Sequence, residues 1–296
     1  MKQTAALLVV LFVAVVGLQA AHDRRGPLPM PEGVNANLLY VQSSSLAQRI
    51  ALSYDSLLAD VYWIRALQHY GRTKLGTEST SQYQLLYPLL DLTTSLDPRF
   101  DIAYRFGAIF LSEAPPEGPG RPDQAVALLE KGLRAQPDRW QYAGDIGFVY
   151  YFWVKDYERA AQWFRRARAM PNGPEWMAAM AATVLAEGGN RASSRRLWQE
   201  VLTNEEAAYL QQRARLRLGQ LDAMDQIDAL APAIDAFRQR TGAAPTSWRQ
   251  LAQAGYVRGI PVDPSGHPYV LDAATGEITV SPESPLFPLP PRERPR

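Results

Sequence analysis

The chain has 296 residues, 47% of them apolar and 21% charged, so it can bury a sizeable core and lacks the composition of a disordered chain. Lys plus Arg number 31 against 30 for Asp plus Glu, a net charge of +1, which argues against a general nucleic-acid binder. Cysteine is absent, which excludes disulfides, thiolate metal sites and a cysteine nucleophile, and the three histidines (His22, His69, His267) stand too far apart in sequence to suggest a shared metal.

The first predicted element is membrane-directed. Ala5 to Leu18 carries no polar side chain, Lys2 precedes it and Gln19-Ala20-Ala21 follow, the three-part pattern of a secretory signal. Residues 1–21 are expected to be an N-terminal anchor. The alternative of a cleaved signal is weakened by Leu18 or Gln19 at the −3 position. The soluble part is expected on the periplasmic side of a bacterial inner membrane, although Arg24 and Arg25 would also tolerate the reverse orientation. Residues 22–43 form a linker stiffened by Pro27, Pro29 and Pro31.

From residue 44 to 222 apolar residues recur at helical spacing. Pro98, Pro137 and Pro171 each close a segment and are preceded by similar phrases: LLDLTTSLDP, ALLEKGLRAQP and AAQWFRRARAMP. The clearest unit runs from Trp140 to Pro171. Its Ile146-Gly147, Tyr150, Asp156-Tyr157, Ala160, Phe164, Ala167 and Pro171 resemble the tetratricopeptide repeat pattern, with one residue more between its helices than that family uses. Weaker copies follow the same plan. Ala103, Phe106, Gly107 and Phe110 with Ala125, Leu129 and Gly132 make one, around a proline-rich loop at 113–123. Trp176 and Ala179 with Ser194, Trp198 and Val201 make another, around Gly189-Asn190. Upstream, Tyr54 to Tyr70 and Tyr83 to Leu96 suggest a divergent first pair with an insertion at Gly71 to Ser81, and Glu205 to Leu221 a capping helix.

The resemblance implies a mostly α fold, a right-handed α-solenoid of antiparallel helix pairs whose concave groove holds a peptide or a partner helix. Its groove positions would include Tyr104 and Ala108, then Phe148, Tyr151 and Phe152, then Met177 and Ala181, a lining suited to an apolar or amphipathic helix. Basic clusters at Arg165-Arg166-Arg168, Arg195-Arg196 and Arg213-Arg215-Arg217 fall on the second helices and are expected to be a solvated outer face.

Residues 223–280 are expected to be a separate small α+β unit: a helix to Arg240, a short helix at Ser247 to Ala254, and a hairpin of Tyr269-Leu271 with Glu277-Val280 around Gly276. Gly242, Pro245, Leu251, Gly255-Tyr256 and the run Pro261 to Tyr269 are similar to the region after the long helix in pseudopilins of type II secretion. Asp263 and Asp272 are the acids that could serve a calcium ion there, the simpler reading being a structural turn. Residues 281–296, with six prolines, are expected to be an extended, disordered tail.

The functional expectation is a non-enzymatic, membrane-anchored scaffold for an envelope protein partner, with pilus or secretion machinery an attractive setting. It calls for no cofactor, no metal and no nucleic acid. The alternative is an envelope enzyme or its regulatory subunit using carboxylates, for which Glu205-Glu206 or Asp222, Asp225 and Asp228 are the candidates. No nucleophile-elbow, phosphate-loop or zincin motif accompanies them.

Overall fold

A computed structural model describes residues 12–14, 17, 44–76, 80–204 and 207–290. Most of the expected anchor and all of the 22–43 linker therefore lie outside the described residues. The chain divides into two units, 1–42 and 43–296, and the second carries all the elements named below. Among the described residues, no helix is long and apolar enough to cross a membrane.

The second unit is mostly helical, with a small two-stranded sheet. Its helices are α1 (Ser44–Ile50), α2 (Asp55–Leu75), α3 (Leu86–Leu96, entered through a 3₁₀ stretch at Thr80–Leu85), α4 (Asp101–Ser112), α5 (Pro122–Ala135) and α6 (Trp140–Val149). They continue with α7 (Tyr157–Ala169), α8 (Trp176–Glu187), α9 (Arg191–Asn204), α10 (Ala208–Thr241) and α11 (Trp248–Gln253). From α2 to α10 each helix packs against the next, and α4 also meets α6, α3 meets α5, and α8 meets α10.

Local chemistry sets the ends. Helices α3, α5 and α7 each stop two residues before Pro98, Pro137 and Pro171, because a proline disfavours the helical conformation of the residue before it. Pro122 opens α5, where its missing N–H would have been unpaired in any case. The Asp156 carboxylate accepts from the Arg159 N–H and caps α7. Helix α6 ends in a turn of wider pitch. There Tyr150–Val154 forms a π-helical turn in which the Lys155 N–H reaches back five residues to the Tyr150 carbonyl, with Lys155 itself left-handed (φ 60°).

The core beneath the helix pairs depends on small residues. A Cβ on Gly147 of α6 would lie 2.7 Å from the Phe164 ring of α7, and one on Gly107 of α4 would lie 2.9 Å from Leu90 of α3. Tyr104 and Tyr142 fill the layer between α4 and α6 with ring centroids 5.3 Å apart, closing over Gly132 of α5. Lys131 of α5 donates to the Asp91 carbonyl and carboxylate (2.7 Å each) and to Thr94 and Ser95, fastening it to the last turns of α3.

Three expectations need correction. The insertion at Gly71 does not interrupt α2, which runs on to Leu75, with Tyr70 packed against Tyr83 and Phe110 and Thr73 buried one turn later. The capping helix and the helix expected after Asp225 are one 34-residue helix, α10, which passes through the 222/223 boundary and contains Pro232. It stays continuous because both halves bury a face. Leu210, Ala214 and Leu221 pack with Trp198, and Ala223, Ile227, Ile234 and Phe237 pack with Trp248, Leu251 and Tyr269. The third concerns the tail: residues 281–290 are folded against α10. Leu286 is buried beside Gly219, and the Gln220 side-chain amide donates to the carbonyls of Leu286 and Pro288, 2.9 Å each.

The hairpin forms as expected, with β1 (Val270–Leu271) antiparallel to β2 (Ile278–Thr279), Val270 opposite Thr279, and Gly276 at φ 77° in the turn. Ser247 caps α11, and the Trp248 indole N–H donates to the Tyr269 carbonyl at 2.7 Å, tying the short helix to the strand.

Candidate functional site

Helices α2, α4, α6 and α8 lie side by side and run in the same direction, because their contacts advance in step. Trp63 meets Phe100, Tyr70 stacks on Phe110 (4.3 Å) and Lys74 reaches Glu113 (2.5 Å). Arg105 pairs with Asp145 at 2.6 Å between α4 and α6, and Trp140 meets Trp176 between α6 and α8. Tyr151, just beyond α6, donates to Glu187 of α8 at 2.6 Å. Each helix turns one face toward the partner helices beneath it, and the opposite faces form a common surface.

That surface is apolar where α2 and α4 supply it. Ile102, Phe106 and Ile109 of α4 stand at i, i+4 and i+7 and are 51%, 51% and 41% exposed. Leu57, Val61 and Ile64 repeat the same spacing on α2 and are exposed too. Phe152 beside α6 is half exposed, stacks on Phe148 and touches Tyr151; Phe148 in turn rests edge-on against the buried Phe164.

Several polar groups along these helices are paired with one another. Burial, then its hydrogen bond to Glu113, pushes the Tyr70 phenol up to about 12, and burial with Glu187 does the same to Tyr151, so both stay neutral donors at ordinary pH. Burial raises the Asp145 carboxyl above its usual value despite the Arg105 guanidinium beside it.

Of the five expected groove residues, Phe148, Tyr151 and Phe152 stand at this surface. Tyr104 and Met177 do not, and Ala108 and Ala181 go with them. Tyr104 is fully enclosed and its hydroxyl donates to the Thr94 carbonyl, while the Met177 methyl packs over Gly144. The reason is phase. At 100° per residue Tyr104 lies 200° around α4 from Ile102, so the residues assigned to the groove there point into the core. The exposed face of α4 carries the second apolar series 102-106-109, in which the repeat resemblance assigns Phe106 to packing.

The carboxylates considered for catalysis are engaged elsewhere. Arg191 of α9 holds Asp225 (3.0 Å) and Asp228 (2.5 Å) of α10, and Arg195 holds Asp222 and Asp225. Glu205 and Glu206 lie outside the described residues. This ladder also corrects the reading of Arg195 as a purely solvated cation. Arg217, half-buried and donating to Gln220, is not on a solvated face either.

Asp263 is buried and accepts from the backbone N–H groups of Ser265 and His267 and from the hydroxyls of Ser265 and Ser284. Burial alone would raise its pKa, but these hydrogen bonds outweigh it and hold the carboxyl below its usual value. Asp272 likewise accepts from the N–H groups of Ala274 and Thr275 in the hairpin turn. Both acids act as turn braces. Among the described residues, no group of three or more His, Asp or Glu side chains is placed to hold a metal.

No protein-family model matches this chain, and no curated protein matches it in sequence.

Proposed function

We propose that this chain is a docking scaffold of tetratricopeptide type that binds a helix of an envelope protein and catalyses nothing itself. The apolar segment Ala5–Leu18 would hold it at a bacterial inner membrane with the rest in the periplasm. The repeat reading is supported by spacing: α4, α6 and α8 begin at 101, 140 and 176, and α5, α7 and α9 at 122, 157 and 191. Gly107 and Gly147 leave room for Leu90 and Phe164 of the neighbouring helices, and Ala160 and Ala167 are buried. The likeness of Pro261–Tyr269 to the pseudopilin loop favours pilus or secretion assembly as the setting.

The observation that carries the docking reading is the unpartnered stripe Ile102–Phe106–Ile109. It is flanked by the matching stripe of α2 and by Phe152, while every helix beneath is already packed. Side-by-side parallel helices with apolar residues at i, i+4 and i+7 offer ridges that a further amphipathic helix can fit. The pairing of Asp222, Asp225 and Asp228 with Arg191 and Arg195 favours this reading over an enzyme that uses those carboxylates.

The test is photocrosslinking of the full-length, membrane-extracted protein in its host, with a benzoylphenylalanine replacing Phe106 or, on the opposite face, Arg196. We expect a discrete adduct from position 106 and none from 196. The adduct should be lost in an Ile102→Glu/Ile109→Glu variant whose circular dichroism is unchanged. Equal labelling from both faces, or crosslinks confined to residues 245–296, would sink the reading.

A further inference from the structure

We propose that the corner between α1 and α2 is a second membrane contact that seats the helical unit on the bilayer surface. The inference rests on the reading of Ala5–Leu18 as a membrane segment and adds to it a site within the described unit.

The corner displays large apolar side chains in a way that folding does not require. Leu52 is 78% exposed, Tyr54 70% and Leu46 49%. Leu52 and Ser53 both have left-handed backbones, at φ 47° and 75°, a conformation unfavourable for side chains other than glycine. The turn is nevertheless fixed. The Ala51 N–H donates to the Ala47 carbonyl (2.9 Å), the Tyr54 N–H donates to the Ala51 carbonyl (2.8 Å), and Ala47, Ala51 and Ala59 are buried beneath it. A braced, strained turn that points a leucine into solvent suits a surface into which that leucine inserts.

The chemistry fits a lipid interface. Leucines can enter the acyl boundary while a tyrosine sits at headgroup level with its hydroxyl in water. Exposed Arg49 offers a cation to lipid phosphate. The acidic neighbours are Asp55, half-buried in the first turn of α2, and Asp60 on its flank.

Connectivity makes a weak contact sufficient. The 22 residues from 22 to 43 join the apolar segment to α1 and span at most about 75 Å when fully extended. An anchored chain therefore presents the corner to the bilayer at a high effective concentration, and a contact too weak to recruit a free protein is populated.

The absence of cysteine makes the test direct. The full-length chain is reconstituted into vesicles of phosphatidylethanolamine and phosphatidylglycerol, with a single nitrobenzoxadiazole label on Leu52→Cys, Tyr54→Cys, Val10→Cys or, on α9, Ala192→Cys. We expect labels at 52 and 54 to shift to the blue and to lose about half or more of their intensity to doxyl-labelled lipid, with position 192 unaffected. A water-like, unquenched label at 52 beside a quenched label at position 10 would overturn the surface contact and leave the anchor standing. Unquenched labels at both positions would overturn the two together. A blue shift at 52 that needs no lipid and resists the lipid quencher would assign the corner to a protein contact instead and likewise overturn the proposal.

Discussion

Single residues decide how closely the helix pairs approach, and glycines separate rigid from yielding contacts. Gly144 and Gly147 lie one turn apart on α6, and a Cβ on either would meet a neighbour, the Met177 methyl at 2.6 Å or the Phe164 ring at 2.7 Å. The consequences should differ. A terminal methyl on a flexible chain can swing aside, whereas a fully buried ring held between α6 and α7 cannot. Replacing glycine by alanine within a helix gains up to about 1 kcal/mol of propensity. Gly144→Ala should therefore leave stability within about 0.5 kcal/mol, whereas Gly147→Ala should lose about 1–3 kcal/mol from overpacking. Urea unfolding of the two variants checks this, and equal effects would mean that the Phe164 side of the pair is softer than its packing implies.

At the scale of elements, α10 and the strap laid against it organise the C-terminal part. Pro232 removes one backbone donor from the middle of a 34-residue helix, yet the helix continues because Leu230, Ile234 and Phe237 pack on the C-terminal core. The strap at 281–290 has no strand or helix of its own to satisfy its carbonyls, so the Gln220 amide does so. Gln220→Leu would leave the Leu286 and Pro288 carbonyls without that donor, and should cost about 1–3 kcal/mol. We expect amide exchange at Leu286 and Phe287 to quicken and proteolysis to begin within 281–290. Unchanged protection there would show that burial of Leu286 alone holds the strap.

At the scale of the whole helical unit, the two clusters around Trp198 and Trp248 share one helix, with no break between Leu221 and Ala223. Loss of either cluster removes one side of α10, so the two should unfold together instead of as independent domains. Trp248→Ala, which truncates a buried indole, should cost about 3–5 kcal/mol. It should lower the protection of amides at Leu210–Leu221 along with those of β1 and β2. Exchange in which the hairpin opens while residues 210–221 keep the protection of the intact protein would show two domains meeting in a passive helix.

Sequence alone determined the local order of this protein. Helical spacing, the prolines at 98, 137 and 171 and the Gly276 hairpin all act through neighbours a few positions away, and such short-range physics is written directly in the chain. Phase and partnership were decided by tertiary structure. Tyr104 and Phe106 both read as apolar helix positions, and the positions of α3, α5 and α6 fix that the first is core and the second is exposed surface. Asp222, Asp225 and Asp228 read as a free acidic row until α9 brings Arg191 and Arg195 against them. A tail with disorder-like composition became a strap through one glutamine more than 60 residues away in sequence. Contacts of that range depend on how separate helices come together, and no local pattern encodes them.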